Sequence, residues 1–224
     1  MSKIDVSQLS YSYRTKYQTV HAVKDATCVF EEGKVYAITG ESGSGKSTFL
    51  SLLAGLDLPE SGELAVDGAD MRGKNRDAYR KSEVSVVYQA FHLLPLLTVA
   101  ENVMLPMELN KVSKSERRTR AAQCLEKVGL SEEKHQKYPK MMSGGEQQRV
   151  AIARSLAAGG KILLADEPTG NLDTENGQNI VSILLNLAHD DGYLVVIVTH
   201  NHEVAAQVDE IYRMKDGVLI QAVQ

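Results

Sequence analysis

Short apolar runs alternate with longer amphipathic stretches along most of this chain. Four of the runs are nearly continuous in apolar residues, as expected of strands that are covered on both faces. They are Val35–Thr39, Val84–Tyr88, Ile162–Ala165 and Leu194–Thr199. We therefore predict an α/β fold with a mainly parallel sheet and with these four strands at its centre.

The first thirty residues have a different pattern. Apolar residues recur at Ile4, Val6 and Leu9 among polar ones, and the stretch ends at the turn sequence Glu31-Glu32-Gly33. This pattern predicts an N-terminal antiparallel β layer that a turn joins to the core.

Helical periodicity dominates from about Ala90 to Ala158, with a predicted helix end at Gly129. We interpret about residues 90–156 as a helical subdomain inserted into a core of about residues 1–89 and 157–224, so that residues 1–224 form a single domain. The charged run Lys111–Arg120 is interpreted as a solvated helix face without a function of its own.

Length and charge restrict the classes of function. The 224 residues suffice for one core that carries a subdomain, and the net charge of −4 gives no basic surface, so no nucleic-acid partner is expected. Cys28 and Cys124 lack the neighbours of a disulfide framework or a zinc site. We expect no signal peptide and no membrane span, because the longest apolar runs are too short.

A glycine-rich motif follows the first predicted core strand and precedes an apolar helical run. It reads Gly40-Glu41-Ser42-Gly43-Ser44-Gly45-Lys46-Ser47-Thr48, which fits the P-loop pattern G-x-x-x-x-G-K-[ST] and predicts ATP binding. Backbone N–H groups of such a loop converge on phosphate oxygens, and the positive end of the next helix adds to this anion site. We expect Lys46, at a solvent-facing position, to reach the β- and γ-phosphates and Ser47 to bind Mg²⁺.

An acidic pair stands at the end of another predicted strand, within Lys161–Pro168. Asp166 is expected to bind Mg²⁺, and Glu167 to polarise the attacking water as a general base. The alternative is an ordinary acidic pair on the surface at a strand end. Beside a P-loop, we interpret the pair as the machinery of ATP hydrolysis.

The segment Ser143–Arg149 begins a predicted long helix and has capping-box spacing between Ser143 and Glu146. Taken alone it is a helix start. The glycines Gly144 and Gly145 would also let an anion approach the backbone, which suggests a second phosphate-facing surface. Because one nucleotide does not need both surfaces within one chain, we predict a head-to-tail pair of chains in which Ser143 faces the ATP of the other subunit.

Ser143–Arg149 resembles the signature motif of the ATP-binding cassette (ABC) ATPases, and the resemblance covers essentially residues 5–220. It implies that Gln89 contacts the γ-phosphate and the metal, and that Asp173, in the segment Gly170–Asp173, contacts the nucleotide. It also implies that His200 acts as a catalytic switch and that Tyr13 stacks on the adenine. Gln89, Asp166, Glu167 and His200 all follow predicted strands, so they can converge at one edge of the sheet.

Three segments are similar to one branch of that family: Phe91–Pro95, Leu97–Val103 and Leu164–Asp173. The branch holds lipoprotein-releasing, macrolide-exporting, antimicrobial-peptide-resistance and cell-division ATPases. The resemblance implies a peripheral subunit at the cytoplasmic face of a bacterial membrane. There the chain would form a homodimer, or pair with another ABC subunit, and closure of this dimer on ATP would drive an integral membrane permease. It implies export or mechanotransmission of a peptide, lipid or drug.

The alternative is a signalling or scaffold ATPase that drives a cell-wall hydrolase or senses an antibiotic without transport. A soluble ABC ATPase of DNA repair or translation is disfavoured, since neither a coiled-coil insertion nor a second cassette is present. We expect the permease contact within about Ala90–Met107, which follows Gln89. Its apolar candidates are Leu93, Leu94, Leu97, Met104 and Met107, of which some must belong to the subdomain core instead. The alternative is that all five are buried within the subdomain.

Overall fold

Residues 2–222 are described by the computed structural model of this chain. The strands are β1 (Lys3–Arg14), β2 (Thr19–Glu31), β3 (Val35–Thr39), β4 (Ser61–Val66), β5 (Ala69–Asp70), β6 (Val84–Tyr88), β7 (Ile162–Asp166), β8 (Leu194–Val198), β9 (Glu210–Lys215) and β10 (Val218–Ala222). The α-helices are α1 (Lys46–Leu53), α2 (Arg76–Ser82), α3 (Val99–Leu109), α4 (Lys114–Lys127), α5 (Gly144–Ala157), α6 (Thr174–His189) and α7 (His202–Ala205). Two 3₁₀ turns, Glu132–Lys134 and Pro139–Met141, precede α5.

The four predicted core strands are neighbours in the sheet. Its strand order is β5-β4-β1-β2-β10-β9-β3-β8-β7-β6, and the pairs β3–β8, β8–β7 and β7–β6 are all parallel. The predicted α/β fold with a mainly parallel central sheet is therefore confirmed. Two predicted bounds differ by one residue, because β7 continues to Asp166 and β8 ends at Val198.

The predicted N-terminal antiparallel layer is also confirmed. Strand β1 pairs antiparallel with β2 and with β4, and Ile4 lies opposite Phe30 in the buried register. The layer belongs to the same ten-stranded sheet, since β2 and β10 pair in parallel at Lys24 and Val218.

Beyond that pairing the two strands separate and leave a cavity of about 400 Å³, lined among others by Val29 and Gln221. The hydroxyl of Tyr36, from the core strand β3, accepts a hydrogen bond of 3.0 Å from the N–H of Glu31 on this side of β2. A side chain thus satisfies a backbone donor that would otherwise need a strand partner.

Helices α3, α4 and α5 pack on one another and share one apolar core with a face of the central sheet. Val103, Leu125 and Val150 are buried in this cluster together with Leu163 and Val195 of the sheet. The opposite face of the sheet packs against α1 and the antiparallel layer. The exact boundaries of a helical subdomain at about residues 90–156 stay a prediction.

The charged run before Gly129 forms the start of α4, whose residues are mostly exposed. Gly129 has φ of 72° directly after the helix, so the predicted helix end is confirmed. The described residues contain no helix that is long and apolar enough to cross a membrane.

Because β3, β6, β7 and β8 run in the same direction, the residues after their carboxyl ends meet at one edge of the sheet. Gly40 follows β3, and Gln89 follows β6. Glu167 follows β7, and His200 comes two residues after β8. This topology places most of the candidate site in one region.

Candidate nucleotide-binding and catalytic site

An open cleft of about 950 Å³ lies at this edge of the sheet. It brings together residues from seven separate segments of the chain. From the predicted set these are Tyr13, Gly40, Glu41, Ser42, Gly43, Gly45, Lys46, Ser47, Thr48, Gln89, Asp166, Glu167 and His200. The P-loop and the three strand-end positions of the prediction thus face the same space.

The P-loop depends on glycine at two positions where the backbone of another segment comes close. A Cβ atom on Gly40 would lie 2.2 Å from the carbonyl oxygen of Met214, and one on Gly45 would lie 2.1 Å from that of Ala22. Gly45 also has φ of 108°, a conformation that other residues rarely adopt. These glycines let the loop curl tightly before α1 begins at Lys46, so that its N–H groups converge on an anion.

The side chain of Lys46 is folded into the loop. Its Nζ donates hydrogen bonds of 2.8 Å to the carbonyl oxygens of Gly40 and of Glu41, and the residue is only 8 % exposed. The expected solvent-facing position of Lys46 is therefore wrong, because the loop wraps around the ammonium group. That group occupies the position from which it can contact phosphate oxygens entering the loop.

Ser47 and Asp166 lie side by side below the loop. The Ser47 hydroxyl donates to Oδ1 of Asp166 at 3.4 Å. Burial raises the pKa of Asp166, the Ser47 hydrogen bond opposes this, and the neighbouring Glu167 raises it further. A hydroxyl and a carboxylate beside a phosphate site are hard oxygen ligands of the kind that Mg²⁺ takes, so this pair fits the predicted metal.

Glu167 and His200 form the far wall of the cleft. Nδ1 of His200 lies 2.8 Å from Oε1 of Glu167. Glu167 has φ of 50°, and its N–H donates to the carbonyl oxygen of Val198. The Glu167 side chain is 18 % exposed and that of His200 is 72 % exposed, so a largely covered carboxylate is paired with an imidazole that borders open space.

Gln89 borders the cleft and is paired with a residue of the segment Gly170–Asp173. Its Nε2 donates to Oδ1 of Asn171 at 3.0 Å, and Nδ2 of Asn171 donates to the carbonyl oxygen of Gln89 at 3.1 Å. The motif residue Asn171 had no assigned role in the sequence prediction.

Tyr13 lies at the rim, from the antiparallel layer. It is 45 % exposed, its hydroxyl is 3.3 Å from Oγ1 of Thr48, and its ring meets that of Tyr11 edge to face at 5.1 Å. One face of an exposed ring next to the P-loop helix is available for stacking.

Ser143 and its neighbours do not line this cleft. The predicted capping box is present: Ser143 Oγ accepts from the N–H of Glu146 at 3.3 Å, and the Glu146 carboxylate accepts from the N–H of Ser143 at 2.9 Å. Lys134 forms an ion pair with the same carboxylate, and its hydrogen bond lowers the pKa of Glu146. The start of α5 is thus held rigidly while Ser143 stays exposed.

The two signature glycines differ in their surroundings. Gly144 is partly exposed, whereas Gly145 is buried and a Cβ there would lie 2.3 Å from Oδ1 of Asn176 on α6. Packing between α5 and α6 within the single chain therefore explains why position 145 is a glycine. Asp173 also lies outside the cleft, as the N-cap of α6, where its Oδ1 accepts the N–H of Asn176 at 2.9 Å.

Sequence reasoning missed part of the cleft wall. The cleft is also lined by Ala22 and Lys24 of β2 and by Asp216 and Gly217 of the turn between β9 and β10. The N–H of Gly217 donates to the carbonyl oxygen of Ser44 at 3.0 Å. Asp216-Gly217 is a recognisable hairpin turn sequence, but nothing local indicates that the turn braces the P-loop.

Comparisons with known proteins agree with this geometry. Residues 23–170 match the family model described as ABC transporter. An uncharacterized ABC transporter ATP-binding protein of Mycobacterium tuberculosis is 38 % identical over 223 residues, covering 98 % of this chain and 90 % of that protein. The lipoprotein-releasing system ATP-binding protein LolD 2 of Rhodopirellula baltica is 46 % identical over 199 residues, covering 85 % of this chain and 78 % of that protein.

A longer relative contains a similar segment. The macrolide export ATP-binding/permease protein MacB of Aggregatibacter actinomycetemcomitans is 40 % identical over 227 residues, which cover 100 % of this chain but 35 % of MacB. Among solved structures, the dimeric post-hydrolysis state of the ATP-binding cassette MJ0796 bound to ADP and Pi is similar, with a TM-score of 0.87 and 37 % identity over 99 % of both chains. This chain therefore belongs to the ABC transporter family, as one of its ATP-binding and ATP-hydrolysing subunits.

Proposed function

We propose that two copies of this chain, or one copy and a related ABC subunit, close head to tail on two ATP molecules and thereby drive a membrane permease. One observation carries the proposal: the cleft contains the P-loop, Asp166, Glu167 and His200, while the exposed Ser143 and the partly exposed Gly144 lie at a helix start outside it. A second subunit would bring that helix start to the open side of the cleft. The similar cassette MJ0796 has been solved as a dimer.

In this proposal the P-loop, residues 40–48, binds the phosphates and Tyr13 stacks on the adenine. Lys46 exchanges its two carbonyl contacts for the β- and γ-phosphates. Ser143, Gly144 and Gly145 of the partner contact the γ-phosphate through the start of α5, and Asp173 lies beside them at the dimer interface.

Hydrolysis depends on the far wall of the cleft. Glu167 accepts a proton from the attacking water as general base, and His200, 2.8 Å from it, fixes the carboxylate and contacts the γ-phosphate. Ser47, Asp166 and Gln89 are the residues that would bind Mg²⁺. When bound, that ion would supply positive charge that neutralises the charge developing on the phosphates during hydrolysis.

The permease contact is best placed in a surface groove next to Gln89. A groove of about 310 Å³ lies between α2, β6, α3 and α5, with Leu56, Tyr88, Leu105 and Leu109 among its apolar walls. Leu56 is 45 % exposed and Leu109 is 65 % exposed, so apolar surface is open to a partner helix.

This groove overlaps only in part with the predicted contact segment, Ala90–Met107. Met107 is 1 % exposed, so it is one of the candidates that belong to the core, where it packs between α3 and its neighbours. Leu93 and Met104 are partly buried against the same core, whereas Leu94 is 44 % exposed.

Arg154 of α5 connects the groove to the segment that follows Gln89. Its guanidinium lines the groove and donates to the carbonyl oxygen of Phe91 at 3.1 Å and to that of His92 at 2.7 Å. A partner helix seated in the groove would therefore press on the segment that follows Gln89 and on the helix that begins at Ser143.

The names of the relatives support export, since one is a lipoprotein-releasing ATPase and another exports macrolides. We therefore propose a peripheral subunit at the cytoplasmic face of a bacterial membrane that exports, or transmits force to, a peptide, lipid or drug.

The test uses two variants of the full chain. Glu167→Gln keeps the shape of the site without the base, so ATP should hold two subunits together and a dimer should accumulate in size-exclusion chromatography with MgATP. Adding Ser143→Arg to this variant should restore the monomer while a fluorescent ATP analogue still binds. A Glu167→Gln chain that stays monomeric with MgATP and hydrolyses like wild type contradicts both the base role and the dimer.

A further inference from the structure

Two loops that meet at the cleft are joined by a reciprocal pair of side-chain hydrogen bonds. One bond fixes the carboxamide of Gln89, because its Nε2 donates to Oδ1 of Asn171 at 3.0 Å. The other fixes the backbone, because Nδ2 of Asn171 donates to the carbonyl oxygen of Gln89 at 3.1 Å. The two residues lie 82 positions apart in the chain, so folding alone brings them together.

The direction of the first bond decides which end of the Gln89 amide is free. A planar carboxamide carries its nitrogen and its oxygen on opposite sides, and here the nitrogen is directed to Asn171. The oxygen Oε1, which alone of the two can bind a cation, is therefore left for the other side. Gln89 lines the cleft that also contains Ser47 and Asp166.

The neighbouring residue makes room for this arrangement. A Cβ atom on Gly170 would lie 2.8 Å from Nε2 and 3.0 Å from Cδ of Gln89. The absence of a side chain at Gly170 thus lets the carboxamide lie against the loop that carries Asn171.

Without Asn171, the carboxamide would lose its preferred orientation. The terminal torsion of a glutamine side chain is broad and roughly two-fold, and the exposed Gln89 meets little else to select one end. A ligand that needs Oε1 would then have to order the side chain itself, at a cost in conformational entropy.

We propose that Asn171 is a positioning residue that orients the Gln89 carboxamide with Oε1 towards the metal side of the cleft. The proposal rests on the metal-binding role proposed for Gln89. It also links the segment in front of the permease groove to the segment that leads to Asp173, so that displacement of one loop is passed to the other.

The experiment measures the affinity of the full chain for a fluorescent ATP analogue, once with Mg²⁺ and once with EDTA. Asn171→Ala should weaken binding with Mg²⁺ by roughly fivefold, the effect of losing the one hydrogen bond that orients the Gln89 carboxamide, and should leave binding in EDTA unchanged. Gln89→Ala should lose a similar or larger factor with Mg²⁺, and the double variant should lose no more than Gln89→Ala alone. A residue with only a structural role would change both conditions alike.

The matched control is Asn110→Ala. Asn110 is also exposed and donates one side-chain hydrogen bond of 3.1 Å, to the carbonyl oxygen of Lys81, away from the cleft. It should bind the analogue like wild type in both conditions.

Two results would overturn the proposal and separate it from the function proposed above. If Gln89→Ala weakens Mg²⁺-dependent binding and Asn171→Ala does not, or if the two losses add, Asn171 does not act through Gln89 and the rest of the site stands. If Gln89→Ala itself has no effect while wild type hydrolyses ATP, the metal role of Gln89 and this inference fall together, and the ATPase function remains.

Discussion

A comparison of the two glycines at the start of α5 tests whether packing or phosphate contact requires each of them. In Gly145→Ala the new methyl group would lie 2.3 Å from Oδ1, 2.7 Å from Cγ and 3.0 Å from Cβ of Asn176. In Gly144→Ala the nearest atom is the flexible Cδ2 of Leu172 at 3.3 Å, and the next is 3.7 Å away. The two substitutions add the same atom to adjacent positions, so any difference between them arises from the surroundings.

The expected changes in the free energy of unfolding follow from two opposing effects, the higher helix propensity of alanine and the overpacking by its methyl group. Replacing a glycine by alanine inside a helix stabilises it by about 0.8–1 kcal/mol, less near the first turn. Overpacking a filled site costs about 1–3 kcal/mol. Gly144→Ala should therefore leave the free energy of unfolding unchanged or raise it by up to about 1 kcal/mol, whereas Gly145→Ala should lower it by about 1–2 kcal/mol.

The disturbance should extend to the loop that ends at Asp173, since Nδ2 of Asn176 also donates to Oδ2 of Asp173 at 2.8 Å. Urea unfolding, monitored by circular dichroism, measures the stability of both variants, and ATP hydrolysis is measured in parallel. Adding Asn176→Ala to Gly145→Ala should recover part of the stability, because it removes the two closest contacts and keeps the one at 3.0 Å. Equal stability losses in the two single variants, or no recovery in the double variant, would refute this account of Gly145.

Three further predictions concern the cleft and its supports. Lys46→Ala should abolish ATP hydrolysis. Because it also removes two hydrogen bonds to loop carbonyls, it should lower the free energy of unfolding of the nucleotide-free chain by about 1–2 kcal/mol. Unchanged urea unfolding would show that those bonds contribute nothing to stability. Tyr13→Ala should weaken binding of an ATP analogue severalfold while Tyr13→Phe retains it, and equal affinities in a titration would rule out stacking. The hydrogen bond from Lys134 lowers the folded-state pKa of Glu146 below its ordinary 4.5, so this stabilisation is present above about pH 4.5 and is lost as the pH falls through the lower folded value. Glu146→Gln should thus lose less stability than wild type between pH 5 and pH 3, and parallel curves would contradict the assignment.

Features that reside in one short stretch of sequence could be predicted. The P-loop, the acidic pair after β7 and the capping box at Ser143 each combine a local motif with a strand end or a helix start, and the structure contains all three. The gathering of the P-loop and the acidic pair at one edge of the sheet also followed from the parallel strands alone.

Features that depend on side chains from distant segments could not be predicted. The burial of Lys46 depends on how tightly the loop closes, and the partner of Gln89 is set by a contact across 82 residues. Which of the five apolar candidates belong to the core, as Met107 does, could not be predicted, because the helical pattern of α3 does not reveal which side meets α4 and α5. Likewise Gly145 resembles a phosphate-contact glycine in sequence, and only the position of α6 reveals the packing that excludes a side chain there.

The separation of β2 from β10 has a consequence for what the nucleotide does to the protein. Tyr13 belongs to the antiparallel layer, and the P-loop belongs to the parallel core, while these two parts of the sheet share a single register pair, Lys24 with Val218. An ATP molecule held by both would serve as a noncovalent crosslink across the weakest seam of the sheet. We expect its arrival to slow amide hydrogen exchange in β10 and in the part of β2 after Lys24, which do not line the cleft, as the two parts lose their freedom to separate.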